Sequence, residues 1–194
     1  MAKQEVSEKP VRAFVTTQAW HVWLEKNQKR SAGLWLRIYK KESGKKTVTY
    51  AEALDEALCY GWIDGQRKAY DDESFLQMFT PRRAKSMWSK RNVEHIKRLI
   101  KEKRMTTTGQ AEVDAAKADG RWEKAYDGSS TMKVPQDFLR ALRKDKKAYA
   151  FFKTLNKTNT YAIAWRLHTA MKPETRARRM ESLLTMMKEG RKIH

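Results

Sequence analysis

The apolar positions change period along the chain. Trp20, Trp23 and Leu24 recur at spacings of three and four, which predicts a helix over about 18–29 with Thr17 as its cap. In GLWLRIYKK, Leu34, Leu36 and Ile38 alternate with Trp35, Arg37 and Tyr39, the period of two that a strand imposes. The outward face of that strand would carry two aromatic rings and Arg37, which is not an ordinary solvent face. ESGKKT turns the chain, and Thr49 with Glu52 three residues later forms a capping box. It opens a helix over 50–60 whose stripe is Ala53, Leu54, Ala57 and Leu58, with Gly61 suited to the left-handed position that ends it. WIDGQRKAY and SFLQMFT read as two more strands, joined through Asp71-Asp72-Glu73 as a hairpin.

From Ser86 onward the pattern is helical. Ser89 caps a predicted helix over 90–103, with Val93, Ile96, Leu99 and Ile100 inward and Lys90, Arg91, Lys97, Arg98 and Lys101 outward. Thr107 or Thr108 starts another helix, to Ala118. Residues 120–134 hold turn residues and a change of charge sign, and Pro135 suits the first position of a new helix. Four helical segments follow, at 136–144, 146–154, 159–171 and 174–189. The third is apolar nearly all round and is expected at the buried centre of a bundle. Pro173 and Gly190 bracket the fourth. The predicted fold is α+β: a three-stranded sheet over 33–80 crossed by the 50–60 helix, flanked by helices in a domain over 1–130. A helical domain occupies 131–194.

Composition narrows the function classes. One cysteine in 194 residues forms no internal disulfide, which argues for a reducing compartment and against a cysteine zinc site. Met1–Phe14 lacks the apolar core of a secretory signal, and no apolar run reaches the ~18 residues of a membrane span. A cytoplasmic location is expected. The formal charge is +19, and its excess sits in two blocks. Residues 82–104 hold ten Lys and Arg against two Asp and Glu, and residues 140–194 hold fifteen against four, while the other segments are nearly neutral in sum. Such blocks suit phosphate-bearing partners, a small molecule or a nucleic acid. They also suit plain solvation of helix faces.

The chemistry-bearing motifs are few. His21, His95, His168 and His194 have no ligand-like spacing, so no metal is expected. His168 reads as a satisfied core or interface group and Cys59 as a small buried apolar residue. GKKT at 44–47 lacks the upstream glycine of a phosphate-binding loop, and no dinucleotide fingerprint occurs, so no cofactor is expected. One constellation stands out. WIDGQ supplies Asp64, Gln66 and Arg67, and FTPRRAKSMWSKRN supplies Thr80, Arg82, Arg83, Ser86, Ser89, Lys90, Arg91 and Asn92 around Trp88. Arginine forks, hydroxyls, an indole and a helix N-terminus are the parts of an anion site. The alternative is that Trp88 anchors the helix and the arginines pair with Asp64, Asp71 or Asp72. No nucleophile or general base is evident, so a non-catalytic binding surface is expected. In the tail, Arg176 lies near the apolar stripe and requires an internal partner or a bound anion.

VTYAEALDEALCYGWIDGQ, FTPRRAKSMWSK, EVDAAKADGRWEKAY and PETRARRMESLLTMMKEG, taken together, resemble the bacterial YdeI/OmpD-associated family, also labelled bacteriocin-protection. The resemblance runs from about residue 32 to the end, and roughly 133–190 looks like the family's small helical domain. It implies a link to resistance against cationic antimicrobial peptides and to an outer-membrane porin, and it carries over no catalytic residue. A chain of charge +19 does not capture cationic peptides by charge attraction. Two rival readings remain. One is an enzyme acting on a phosphorylated or carboxylated small molecule with Asp64 as acid or base. The other is a protein–protein adaptor in envelope stress with an exposed apolar patch on the C-terminal helices.

Overall fold

Capping chemistry and backbone period decide where the elements fall in the computed structural model, which describes residues 9–128 and 131–194. The first eight residues, part of the Met1–Phe14 segment read for a signal, and residues 129–130 within the predicted boundary lie outside the described residues. The chain divides into two units, Met1–Ser86 with Asn92–Glu123, and Met87–Arg91 with Lys124–His194.

The first unit is α+β. Its elements are β1 (Val11–Ala13), α1 (Thr17–Asn27), β2 (Leu34–Tyr39), α2 (Tyr50–Cys59), β3 (Trp62–Ala69), β4 (Ser74–Pro81), α3 (Lys90–Lys101, its first two residues assigned to the second unit) and α4 (Thr107–Ala118). The sheet has four strands in the order β1-β2-β4-β3, one more than the pattern predicts. The added strand is three exposed residues pairing in parallel with Trp35–Arg37, too short to show a period. β3 and β4 form the expected antiparallel hairpin, and β4 also pairs antiparallel with β2. β4 therefore lies between β2 and β3, and the connection through α2 skips one strand position.

Leu34, Leu36, Ile38 and Phe79 face the core, where Trp20 sits against Phe14, Trp23, Trp62 and Phe79 with ring centroids 5.2–6.4 Å apart. Trp20 also donates its indole N–H to the Ala53 carbonyl at 3.1 Å, fastening α1 to α2. The opposite sheet face is roofed by its own long side chains. Lys68 lies 4.4 Å over the Trp35 ring, and Arg37 lies between Tyr39 and Tyr70 at 4.5 and 4.9 Å. Their aliphatic stems cover apolar surface while the charges stay wet, and Leu76 beneath them is 1% exposed. That is why two rings and an arginine occupy an outward face.

Several boundaries move by a residue. Thr16, not Thr17, caps α1 by accepting from Ala19 N–H at 3.1 Å, and Thr106 caps α4 by accepting from Gly109 N–H at 3.2 Å. The capping box of α2 forms as predicted, and Gly61 has φ +72°. On α3, Val93, Ile96 and Leu99 are buried, whereas Ile100, one residue round from Leu99, turns outward and is exposed.

Carboxylates on α2 gather cations from distant parts of the unit. Asp55 accepts from Arg98 at 2.6 Å and lies 2.8 Å from His95 Nδ1. Buried Glu56 accepts from Arg104 and lies 2.8 Å from His21 Nδ1, whose Nε2 meets the Tyr60 hydroxyl at 3.1 Å. At the end of α2, Thr106 donates its hydroxyl and its N–H to the Cys59 carbonyl at 2.7 and 3.1 Å. A Cβ on Gly109 would stand 2.1 Å from that carbonyl oxygen, so only glycine lets α4 approach α2 this closely.

The second unit is helical: α5 (Gln136–Arg143), α6 (Lys146–Lys153), α7 (Lys157–His168) and α8 (Pro173–Lys188). Its core is Phe138, Leu142, Ala148, Ile163, Leu167, Leu183 and Met187. α7 is not the buried centre. Trp165 is 38% exposed, Arg166 and His168 are exposed, and Met171 lies past the helix at 53%. α8 instead packs against α5, α6 and α7, so α7 buries one side only. Arg176 pairs with Asp137 at 2.7 Å, the internal partner its position requires. Buried Asn159 accepts from the N–H groups of Ile193 and His194 at 3.0 and 3.1 Å. Among the described residues no helix is long and apolar enough to cross a membrane.

Gly109→Ala should destabilise the chain by about 1–3 kcal/mol or more through overpacking, read as a lowered urea midpoint. Asp55 supplies a second prediction. Its carboxyl is buried enough that desolvation pushes its pKa up, and the Arg98 and His95 hydrogen bonds outweigh this, leaving it below the usual 3.8. A depressed folded pKa contributes stability above the unfolded pKa that is lost as pH falls through the folded value. Stability should therefore drop below about pH 4, and Asp55→Asn should be less stable at pH 6 while losing part of that acid dependence. Urea titrations at stepped pH check both.

Candidate functional site

The residues of the predicted constellation are distributed over both units. Asp64, Gln66 and Arg67 lie on β3, Thr80 on β4, and Arg82, Arg83, Ser86 and Asn92 elsewhere in the first unit; Trp88, Ser89, Lys90 and Arg91 belong to the second. In the first unit Arg82 is 6% exposed, donates its backbone N–H to the Gly61 carbonyl at 3.0 Å and its guanidinium to Ser86 Oγ at 3.1 Å. Arg121 donates to the Ser86 carbonyl at 3.0 Å, tying the same turn from α4's far end. Asn92 is buried, and Arg83 is exposed. Thr80 pairs with Ile63 across the hairpin.

In the second unit, Trp88 is 1% exposed, and Ser89 forms a parallel bridge with Tyr126. Tyr126 donates its N–H to the Trp88 carbonyl at 2.9 Å, Lys90 N–H donates to the Tyr126 carbonyl at 2.8 Å, and Lys90 Nζ lies 2.9 Å from Asp127. The carboxylates around the hairpin are engaged as well. Asp64 accepts from the Tyr50 hydroxyl at 2.8 Å, and Asp71 accepts from Arg37 at 2.6 Å. Gln66 is exposed, and its carbonyl accepts from Gln77 at 3.3 Å.

Arg67 leads to a different place. It stacks on Phe75, 3.8 Å from the ring centroid, and both line a cleft of about 620 Å³ at the end of β2. That volume lies in the range of small-molecule sites, ~300–1,000 Å³. The rest of the wall is the segment after β2: Lys40, Lys41, Lys45, Lys46, Thr47 and Thr49, with Tyr39 and Tyr50 beside them. A single turn at Lys41–Ser43 and left-handed Gly44, φ +68°, fold this segment back on itself and bring its lysines to one opening.

The cations there differ in their commitments. Lys45 is bound to Glu73, whose hydrogen bond raises the lysine pKa and keeps it charged. Lys40 Nζ donates to the Asp72 carbonyl at 2.8 Å. Among the described residues Lys41 and Lys46 form no ion pair. Among the described residues Glu42 is the lone carboxylate in the wall. The N-terminus of α2 opens at Thr49 and Tyr50, adding the partial positive charge of the helix dipole. Glu52 closes the capping box, and the Thr49 hydroxyl and N–H hold its carboxyl below its ordinary pKa. An excess of positive charge, two threonine hydroxyls and three rings, two of them phenolic, can hold an anion that also carries a flat or apolar part.

The sequence set GKKT aside because it lacks a phosphate-loop fingerprint. The signal that could have found the cleft is local: four lysines within residues 40–46 against one glutamate. Summed over 1–81, acids of the hairpin turn and of α2 cancel it. Other chemistry is scarce. Cys59 is buried, and desolvation, the largest influence, pushes its thiol up to about 12, which removes it as a nucleophile near neutral pH. His168 is exposed rather than in the core, with Nε2 3.0 Å from the Lys133 carbonyl. Among the described residues no group of three His, Cys, Asp or Glu could hold a metal ion.

Residues 12–112 match the family model described as Domain of unknown function (DUF8412), and residues 131–190 match the model described as Bacteriocin-protection, YdeI or OmpD-Associated. No curated protein and no solved structure matches the chain.

Proposed function

The chain belongs to the domain-of-unknown-function family DUF8412 and carries a YdeI/OmpD-associated segment at its C-terminal end, and from that premise we propose that it is a non-catalytic binding protein for an anionic, phosphate-bearing ligand. The observation that carries this reading is the cleft walled by Lys41, Lys46 and Arg67 together with Tyr39, Tyr50 and Phe75. Charge there exceeds what the surrounding carboxylates neutralise, and the rings offer a second contact to a ligand with a flat moiety. The Arg67–Phe75 stack fixes the guanidinium, so less side-chain freedom is lost when it meets an anion.

Asp64, the acid or base of an enzymatic reading, accepts a hydrogen bond from Tyr50 and is not among the residues lining the cleft, which argues for a part in positioning the Tyr50 ring of that wall. The same reading places the protein in the cytoplasm, where phosphate-bearing small molecules are available. Protection against a bacteriocin, if exercised by this chain, would then run through the bound ligand. Its charge of +19 opposes direct capture of a cationic peptide.

Isothermal titration with adenosine 5′-monophosphate and with a single-stranded oligothymidylate tests the site. Lys46→Glu and Arg67→Glu should each weaken nucleotide binding by about tenfold or more, with unchanged circular dichroism. Arg83→Glu should leave it within about twofold, since an exposed charge outside the cleft adds little. Loss at Arg83 and none at Arg67 would place the ligand at the strand–helix junction and overturn the cleft. Tighter binding of the oligonucleotide, with affinity falling steeply with salt, would make nucleic acid the ligand.

A further inference from the structure

A second concentration of positive charge lies in the helical unit and is independent of the cleft. Arg166 on α7 and Arg178, Arg179 and Ser182 on α8 line a recess of about 250 Å³ whose floor is buried Leu183. Most arginines with structural roles in this chain are met by carboxylates: Arg37 by Asp71, Arg98 by Asp55, Arg104 by Glu56, Arg121 by Asp119, and Arg176 by Asp137. Arg176 is the instructive neighbour, since it stands on the same helix and is paired. Among the described residues no ion pair joins Arg166, Arg178 or Arg179 to an acid, although Glu174 and Glu181 are on the same helix.

One of the three is held in place. Arg179 Nη1 donates to the Arg166 carbonyl at 2.8 Å and reaches Thr169 Oγ1 at 3.5 Å, while that hydroxyl donates to the Trp165 carbonyl at 2.6 Å. The last carbonyls of α7 carry the negative end of its dipole, so they fix this guanidinium without neutralising it. Its Nε and Nη2 have no partner among the described residues. Bringing Arg166 and Arg178 beside it costs repulsion that no ion pair among the described residues offsets.

We propose that this recess binds the dianionic terminus of a phosphate monoester. Three guanidinium groups and a hydroxyl offer more donors than one carboxylate accepts, and they suit a tetrahedral group with three terminal oxygens. The volume is below the ~300 Å³ at which sites for whole drug-sized molecules begin, so the recess takes the phosphate end while the rest of the ligand lies outside. Two sources present the same chemistry: a small phosphate ester in solution, and a monoester headgroup on a lipid surface.

The full-length chain, ¹⁵N-labelled, is titrated with glycerol 3-phosphate while the amide signals of 166–169 and 178–183 are followed, with those of 41–50 as the separate readout of the cleft. In parallel, the chain is co-sedimented with phosphatidic acid vesicles and with phosphatidylcholine vesicles. Saturable shifts at 166–169 and 178–183, or sedimentation with phosphatidic acid alone, support the site when Arg166→Gln and Arg178→Gln each weaken them by about tenfold. Arg143→Gln, on a different helix, should change them less than about twofold. Which arm responds says whether the phosphate arrives on a small molecule or a membrane. Neither arm responding, or equal losses in Arg143→Gln, overturns the proposal, and movement at 41–50 alone credits the cleft while refuting this recess. Preserved spectra of the variants exclude misfolding as the cause.

Discussion

The first unit depends on two adjacent carboxylates. Asp55 and Glu56 stand side by side on α2, and between them they engage His21 from α1, His95 and Arg98 from α3, and Arg104 from the loop before α4. Burying a carboxylate such as Glu56 costs several kcal/mol unless it is paired and hydrogen-bonded, so these groups demand their cations. The demand explains why residues 92–123, which follow the sheet after the segment given to the second unit, complete the first unit. It also orients α2, whose other end carries the capping box at the mouth of the basic cleft. The structural network and the proposed site are thus opposite ends of one helix.

Charge in this protein therefore has three distinct occupations. Around α2 it is consumed in internal pairs. On the outward sheet face it is laid over aromatic rings, where Arg37 and Lys68 act as much through their stems as through their charge. At the lysine cleft and at the arginine recess on α7 and α8 it exceeds its internal partners. A composition of +19 merges these situations.

What the sequence made legible was local. The capping box at Thr49 and Glu52, the alternation of Leu34, Leu36 and Ile38, and the hairpin through Asp71–Glu73 all rest on neighbours within a few residues, and each formed. β1 escaped because three exposed residues show no period and its partner lies over twenty residues away. Ile100 and the outer side of α7 were assigned inward because apolar character fixes a preference for burial, whereas the number of neighbouring elements decides which side gets it. Arg82, Trp88 and Asn92 read as parts of a site from residue type, and residue type does not show burial, which the fold decides: all three are buried. The lysine cleft was hidden by cancellation over a long window, and the partners of Asp55 lie some forty residues away, beyond any local pattern.

The second unit borrows Met87–Arg91 from the middle of the first and pairs it with Tyr126 through backbone hydrogen bonds. The two units are consequently interleaved along the gene. A fragment starting at Lys124 would lack the segment that Tyr126 bonds to, and one ending at Glu123 would keep that segment without its mate. During synthesis the segment around Trp88 leaves the ribosome before Tyr126 does, so the hydrogen bonds that join the two form only once the second unit emerges. Inheritance by modular exchange, in which one unit is copied into another protein, would have to carry both pieces together.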